Sequence, residues 1–336
     1  MVSHKRKSNI YEGFLFDILP CTPLEIRMIL NKLEHRIINE LEEIRLRAER
    51  PLIIRHKSSD WIVDINGYIS KECNNAYIVK QEQILKTVEI LSQNSIYAFL
   101  DEIKCGFITI RGGHRVGITG RTVLEGQSVK NIKDISGLNF RISKEIKGCS
   151  DNYIGYLINE KKEVTNTLIV SPPGCGKTTM LRDLARNLGN GIKKHGIEGL
   201  RVGIVDERSE IAACYKGVAS HDVGIRTDVL DGCPKSVGMV MMLRSMSPDV
   251  IITDEIGNEG DREAVLCVIN AGVKIISTAH GYSISDLKSR KEVLKLIEDK
   301  VFERYLVLGK SKGPGIVVEI VDGLTMKKIY PNPKET

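Results

Sequence analysis

The segment 167–188 constrains the fold of this chain more than any other part of it. It begins with Thr167-Leu-Ile-Val170, four apolar or β-branched residues that predict a buried strand. The glycine-rich sequence Ser171-Pro-Pro-Gly-Cys-Gly-Lys-Thr-Thr179 follows, and helical spacing then runs from Met180 until Gly189. A strand, a glycine-rich loop and a helix N-terminus in this order are typical of a phosphate-binding loop in an α/β fold.

This loop predicts nucleotide binding because its parts suit different portions of a triphosphate. Its backbone N–H groups and the positive end of the helix dipole face an anion. Lys177 would reach the β- and γ-phosphates, the Thr178 hydroxyl would ligate Mg²⁺, and Ser171 takes the place of the motif's usual first glycine. The residues predicted to contact ATP are Ser171, Pro172, Pro173, Gly174, Cys175, Gly176, Lys177, Thr178 and Thr179.

Length and composition allow two domains and disfavour several classes of protein. The 336 residues are enough for two domains with their own cores, and the net charge of +6 falls short of the concentrated basic face of a nucleic-acid binder. The eight cysteines include no CxxC pair, which disfavours a zinc site or a disulfide framework and favours the cytoplasm. There is no run of about 18 apolar residues, so we expect any membrane contact to be peripheral.

Residues 1–150 are predicted to form a smaller α+β domain ahead of the phosphate-binding loop. Its helices are predicted at residues 23–46 (two short helices) and 80–92, and its strands at 51–55, 61–65 and 106–121. Asn66-Gly67 is a hairpin signal, and the glycines of the last segment indicate tight turns between strands.

Residues 151–336 are predicted to form a second domain with a mostly parallel sheet. Strands are predicted at residues 167–170, 201–206, 250–253, 273–276, 305–308 and 316–321, and helices at 180–188, 234–246 and 285–298. The alternation of strands and helices predicts βαβ units, whose polar residues gather at the carboxyl edge of the sheet.

The strand at 250–253 delivers an acidic pair with a specific predicted chemistry. Asp254 would hold Mg²⁺ through a water molecule, and Glu255 would polarise the attacking water. The extra strand between the phosphate-binding loop and this pair, together with Glu255, favours a RecA-like P-loop ATPase over kinases and GTPases. No Asn-Lys-x-Asp guanine motif occurs, so ATP is preferred to GTP.

Two further polar groups follow neighbouring strands. His280 lies two residues after Thr278, where the γ-phosphate is expected, and it is predicted to sense that phosphate; the alternative is a structural histidine. Glu210 belongs to an acidic cluster with Asp206 and Glu207, and it would orient the attacking water or the groups around Mg²⁺. Solvated charges on a loop are the alternative for this cluster.

Several segments resemble the motifs of the type II/type IV secretion ATPases. Ile204-Val-Asp-Glu-Arg-Ser-Glu210 resembles their Asp box, and Ile276-Ser-Thr-Ala-His280 resembles their His box. Residues 243–249 and 254–263 together resemble their Walker B region. The resemblance implies a RecA-like ATPase domain that assembles with copies of itself.

A second resemblance, to the stage III sporulation protein AA family, covers nearly the whole chain. It is carried by residues 43–47, 112–121, 139–143 and 205–210. It implies a cytoplasmic ATPase in the mother cell of an endospore former, at the base of a membrane channel to the forespore. The implied partners are copies of the chain in a hexameric ring, the other stage III A proteins and, peripherally, the membrane, but no nucleic acid.

Two alternatives stay open beside this interpretation. A RecA-like nucleic-acid motor is disfavoured because only 5% of the residues are aromatic, which leaves few side chains on which bases could stack. We also expect no RNA-binding module after the domain at 151–336. A scaffold that binds ATP only to close a ring is disfavoured by the intact Lys177, Thr178 and Glu255.

The arginines of the N-terminal domain have two interpretations. Strand arginines usually form a solvated face. In a ring, the domain at 1–150 would instead pack over a neighbour's nucleotide, and Arg115, Arg121 or Arg141 would contact the neighbour's γ-phosphate. Arg226 and Arg244 are the second choice for that role. Such a contact would be worth roughly 10³–10⁵ in turnover.

Overall fold

The computed structural model describes residues 10–92, 106–126, 128–309 and 315–331. The chain forms two compact units, 1–145 and 146–336, whereas the sequence predicts a domain boundary after residue 150. Within the described ranges, every helix is too short or too polar to cross a bilayer.

The N-terminal unit contains a seven-stranded antiparallel sheet. Its strands are β1 (Leu41–Arg47), β2 (Ile53–His56), β3 (Ser59–Val63), β4 (Ile69–Ser70), β5 (Phe107–Ile110), β6 (His114–Glu125) and β7 (Ser128–Arg141). They lie in the order β4-β3-β2-β1-β7-β6-β5. The helices are α1 (Leu24–Leu30), α2 (His35–Asn39) and α3 (Gln81–Leu91), with helical turns at Ile10–Gly13, Phe14–Ile18, Leu19–Cys21 and Arg111–Gly113. The two-residue strands Arg50–Pro51 and Ile78–Val79 form a separate pair.

The prediction of helix over residues 23–46 is wrong at its C-terminal end. Two short helices are present, but residues 41–47 form β1, which pairs with β2 on one side and β7 on the other. Leu41 and Ile44 are three residues apart, which fits a helical period. In the strand, an irregularity in the pairing between Leu41 and Glu43 allows both side chains to be buried. Burial of Ile44 and Leu46 beneath alternating charged residues, with hydrogen bonds to two neighbouring strands, decides for the strand.

The turns of the N-terminal sheet follow the backbone chemistry of their residues. Lys57 (φ 50°) and Ser58 (φ 59°) join β2 to β3 in the left-handed region. Asn66 and Gly67 lie in the next turn, between β3 and β4, where Gly67 has φ 82°. Asn-Gly therefore does mark a hairpin, as the sequence predicts.

The C-terminal unit contains an eight-stranded, mostly parallel sheet, which confirms the predicted RecA-like α/β class. Its strands are β8 (Thr167–Ser171), β9 (Val202–Asp206), β10 (Thr227–Asp231), β11 (Val250–Thr253), β12 (Lys274–His280), β13 (Arg304–Gly309), β14 (Ile316–Asp322) and β15 (Lys328–Tyr330). They lie in the order β10-β9-β11-β12-β8-β13-β14-β15, and only β14 and β15 run antiparallel to their neighbours.

Helices cover this sheet on both sides. They are α4 (Lys177–Asn190), α5 (Lys235–Met246), α6 (Glu259–Asn270), α7 (Ile284–Leu287) and α8 (Lys291–Glu298), with helical turns at Ile154–Leu157 and Lys193–His195. A small hairpin pairs Cys214–Tyr215 with Val218–Ala219. The single helix predicted over 285–298 is wrong, because the chain breaks between α7 and α8, where Arg290 has an extended backbone (φ −101°, ψ 100°).

The strand β8 lies in the interior of this sheet and is buried along its whole length. Ile169 packs with Leu181 and Leu184 of α4 on one face of the sheet, whereas Leu168 and Val170 belong to the core on the other face. Burial on both faces is typical of a parallel sheet covered by helices, and it fixes the phosphate-binding loop at the sheet's carboxyl edge.

Candidate nucleotide-binding site

The loop between β8 and α4 has the backbone that a phosphate cradle needs. Gly174 (φ 74°) and Gly176 (φ 88°) are both left-handed, so a side chain at either position would strain the backbone. Gly176 caps α4 without a side-chain hydrogen bond, which leaves the first N–H groups of a 14-residue helix available to an anion.

Ser171, which replaces the usual glycine, is fully buried at the end of β8. Its hydroxyl donates to the Pro172 carbonyl at 2.9 Å, and its carbonyl accepts the Gly281 N–H at 3.2 Å. Cys175 is also buried, and its carbonyl accepts the Gly315 N–H at 2.7 Å. Both residues therefore shape the loop through their backbones, and their side chains do not face solvent.

The predicted catalytic carboxylate lies beside the loop lysine. Lys177 Nζ is 3.9 Å from Glu255 Oε2, and Arg290 Nη1 is 3.5 Å from Glu255 Oε1. Lys177 also donates to the Ser171 carbonyl at 3.5 Å. The fold thus brings together two residues that are predicted to act on the same phosphate, although they come from different βα units.

Asp254 precedes this glutamate and has an unusual environment. Its Oδ1 atom is buried and has no hydrogen-bond partner within the described residues. Lys235 Nζ lies 3.7 Å from that oxygen and also makes a close ion pair with Glu207. Burial raises the pKa of Asp254 to about 6, against the opposing effect of Lys235.

The orphaned oxygen of Asp254 fits the predicted magnesium site. The described ranges hold no cluster of three or more acidic, histidine or cysteine side chains that could bind a metal alone. Mg²⁺ in nucleotide enzymes usually takes one or two protein ligands and fills the remaining positions with phosphate oxygens and water. A hydroxyl from Thr178 and one carboxylate from Asp254 match that donor set.

The acidic cluster after β9 has a structural member. Asp206 is fully buried and accepts the N–H groups of Glu210, Ile211 and Ala212 at 2.8, 2.8 and 2.9 Å. Burial raises the pKa of Asp206 in spite of these bonds. Asp206 therefore shapes the loop that carries Glu210, whose carbonyl is held by Arg182 of α4 at 2.7 Å.

His280 ends the strand next to the phosphate-binding loop. It is half-buried and pairs in register with Ser171, so the ends of β12 and β8 are adjacent. Two residues before it, the Thr278 carbonyl accepts the Ile256 N–H at 3.0 Å. The neighbouring Ser277 hydroxyl donates to the Asp254 carbonyl, also at 3.0 Å. The strand of His280 therefore anchors the segment that carries both acidic residues.

The three arginines of the N-terminal unit that are predicted to contact a neighbour's γ-phosphate are not all brought together. Arg115 and Arg141 lie directly opposite each other on β6 and β7, whereas Arg121 lies opposite Lys133 further along the hairpin. Arg115 stacks on Phe107, with its guanidinium 4.7 Å from the ring centroid.

The two second-choice arginines lie in the C-terminal unit and differ in their surroundings. Arg226 donates to the Gly189 carbonyl at 3.2 Å, which gives it a structural contact at the end of α4. Arg244 is exposed on α5. Their catalytic roles, like those of the N-terminal arginines, stay predictions.

Lys235 and Arg290 are site residues that the sequence interpretation missed. Lys235 is the first residue of α5, where a positive charge opposes the helix dipole. This unfavourable position is the only feature of the sequence that could have identified Lys235. Arg290 lies within the single helix predicted over residues 285–298. Neither belongs to a motif with fixed spacing.

Together, the fold and this site define a P-loop ATPase fold of the secretion-ATPase type. The Legionella pneumophila ATPase DotB is similar over 90% of this chain and 81% of that one, at a TM-score of 0.59 and 13% identity. The pilus retraction motor PilT with bound ADP matches over 88% and 82%, at a TM-score of 0.51 and 15% identity. At these identities the likeness shows the fold alone.

The sequence comparisons are more specific. The family model described as sporulation stage III, protein AA matches residues 15–327, and the chain belongs to that family. Stage III sporulation protein AA of Bacillus subtilis (strain 168) is 41% identical over 306 residues, which are 91% of this chain and 94% of the relative. The expected family is therefore confirmed.

Proposed function

We propose that this protein hydrolyses ATP with Mg²⁺ and acts as a ring-forming ATPase in endospore formation. The observation that carries the proposal is the 3.9 Å approach of Lys177 and Glu255 at the N-terminus of α4. A phosphate-binding lysine and a carboxylate that can activate water are the two groups that ATP hydrolysis needs closest together.

The chain's own residues supply the steps of this reaction. Backbone N–H groups of the loop and Lys177 would bind the β- and γ-phosphates, and Glu255 would accept a proton from the attacking water. Thr178 and Asp254 would hold Mg²⁺, which when bound neutralises charge on the phosphate oxygens. His280, at the end of the adjacent strand, would donate a hydrogen bond to the γ-phosphate.

The family and the fold support a cellular role that goes beyond hydrolysis. We place the protein in the mother-cell cytoplasm, where a ring of six copies would contact the membrane peripherally through other stage III A proteins. ATP turnover would power or assemble the channel to the forespore. Arg115, Arg121 or Arg141 of one subunit would complete the neighbour's site.

The test measures phosphate release and ATP binding with the purified chain and Mg²⁺. Lys177→Ala should abolish both, because the lysine's charge-assisted hydrogen bonds are worth roughly 1.5–3 kcal/mol each. Lys161→Ala, at an exposed position of the same unit, is the matched control and should behave as wild type. ATP binding by the wild type without phosphate release, with rings shown to form, would contradict hydrolysis and favour a scaffold.

A further inference from the structure

The Glu255 carboxylate has a cation on each oxygen. Lys177 approaches Oε2 from the phosphate-binding loop, and Arg290 approaches Oε1 from the junction of α7 and α8. The Glu255 side chain is 38% exposed, so it has room to rotate into solvent if these contacts are lost. Lys177 is the residue that must turn to phosphate when ATP binds, and Glu255 then retains only the contact from Arg290 among its described ion pairs.

Arg290 is carried by backbone that is fixed on both sides. Its N–H donates to the Leu287 carbonyl at 3.0 Å, and its carbonyl accepts the Leu294 N–H at 2.8 Å, which starts α8. Leu287 itself is fully buried. The short segment before α7 is tied to the phosphate-binding loop by the bond from Gly281 to Ser171. Because the backbone of Arg290 is held on both sides, its guanidinium can fix the orientation of the Glu255 carboxylate.

We propose that Arg290 is a positioning residue, which keeps the Glu255 carboxylate aimed at the attacking water after Lys177 has moved to the phosphate. The proposal rests on the ATPase function stated above. Arg290 acts through Glu255 and contacts no phosphate. Its guanidinium would hold the Glu255 carboxylate in the orientation that a general base requires. This orientation matters because displacing a base by about 1 Å can lower the rate about 10²-fold.

The main test separates kcat from KM. Arg290→Ala should lower kcat about 10- to 100-fold while KM for ATP stays near wild type, because no phosphate contact is removed. The Arg290 side chain is 33% exposed, so we expect only a small decrease in melting temperature from the lost packing. Arg290→Lys should recover part of the rate. Lys291→Ala, which removes an adjacent exposed cation, is the matched control and should keep the wild-type kcat.

A double substitution distinguishes positioning from direct contact with phosphate. In Glu255→Gln, where the base is gone, adding Arg290→Ala should cause no further loss of the residual turnover, because the two residues act as one unit. A further loss of similar size, or a rise in KM, would assign Arg290 to the phosphate and overturn positioning. Wild-type kcat in Arg290→Ala would also overturn it and leave the ATPase function standing. A wild-type protein that releases no phosphate would overturn both.

Discussion

Lys177 Nζ and Glu255 Oε2 lie 3.9 Å apart across the mouth of the phosphate-binding loop, although the two residues belong to different βα units. The lysine is a counter-ion of the glutamate in this arrangement, so in the proposed ATPase the nucleotide would compete with the carboxylate for it. Binding and catalysis would then be coupled through one ion pair, and we expect removal of the carboxylate's charge to affect the two in opposite directions.

Glu255→Gln should bind ATP at least as tightly as wild type, because Lys177 loses its competing anion. Turnover should fall roughly 10²- to 10⁴-fold, since an amide cannot accept the proton of the attacking water. Fluorescent-nucleotide titration and phosphate release measure the two effects. Glu259→Gln, at a side chain that is 71% exposed on α6, is the control. Wild-type turnover in Glu255→Gln would show that the base lies elsewhere.

Asp254 should make stability depend on pH in the absence of Mg²⁺. Its pKa in the folded chain is raised to about 6, so between about pH 4 and pH 6 the folded state binds a proton that the unfolded state has lost. Stability from this group is present below that window and is lost as the pH rises through it. Relative to wild type, the free energy of unfolding of Asp254→Asn should therefore rise by up to about 3 kcal/mol as the pH increases from about 4 to 7.

Urea unfolding of both proteins in a chelator measures this gain. Saturating Mg²⁺ and ADP provide the control, because they should stabilise the wild type more than Asp254→Asn. If the two proteins differ in unfolding free energy by the same amount near pH 4 and near pH 7, the raised pKa of Asp254 is contradicted.

His114 should produce the opposite dependence in the N-terminal unit. It is 5% exposed, its Nδ1 accepts the Ser143 N–H at 3.0 Å, and its Nε2 has no partner within the described residues. Burial lowers its pKa to about 4. The unfolded chain therefore binds a proton first as the pH falls below about 6.5, and stability is lost between there and about pH 4.

The free energy of unfolding should fall by about 3 kcal/mol over this pH range. His114→Asn should remove this acid sensitivity, because its amide does not titrate and its amide oxygen can replace Nδ1 as the hydrogen-bond acceptor. Unfolding free energies near neutral pH and near pH 5, followed for the transition of this unit, give the comparison. An equal acid sensitivity in the variant would assign the effect to other groups.

The parts of the fold that were predictable from sequence are those fixed by local patterns. The β8 strand, the glycine loop and α4 follow from an apolar run, two left-handed glycines and helical spacing. Residues 41–47 were not predictable in the same way, because the spacing of Leu41 and Ile44 fits a helix. Pairing with β2 and β7, with an irregularity between Leu41 and Glu43, makes the segment a strand.

The candidate site also contains residues that could be predicted from local sequence patterns and residues that could not. Lys177, Glu255 and His280 could be named because each lies at or after the carboxyl end of a buried strand, and parallel strands bring these ends to one edge of the sheet. The contact between Arg290 and Glu255 spans 35 residues and depends on the break between α7 and α8. Such a contact has no sequence period, so only the folded chain reveals it.

The last prediction concerns the pair Arg115 and Arg141, which face each other across β6 and β7. Their neighbours Val116 and Phe140 are buried, so alternation along the strands directs both arginines to the other face of the sheet. Two like charges directly opposite each other disfavour the pairing unless an anion offsets them. Glu43 lies across from Arg141 on β1, and in a ring a neighbour's γ-phosphate would be another anion for this face of the sheet.

We therefore expect Arg141→Ala or Arg115→Ala to lose activity, and to regain it when mixed with Glu255→Gln under conditions that allow subunits to exchange. The Glu255→Gln subunit then supplies its arginine to a neighbour whose glutamate is intact. Arg55→Ala is the control on the same sheet, because Arg55 is engaged by Glu42 and Asp60, and it should remain active alone. Arg121→Ala, Arg226→Ala and Arg244→Ala are mixed in the same way. If no pair recovers activity although mixed rings form, the arginine does not act between subunits.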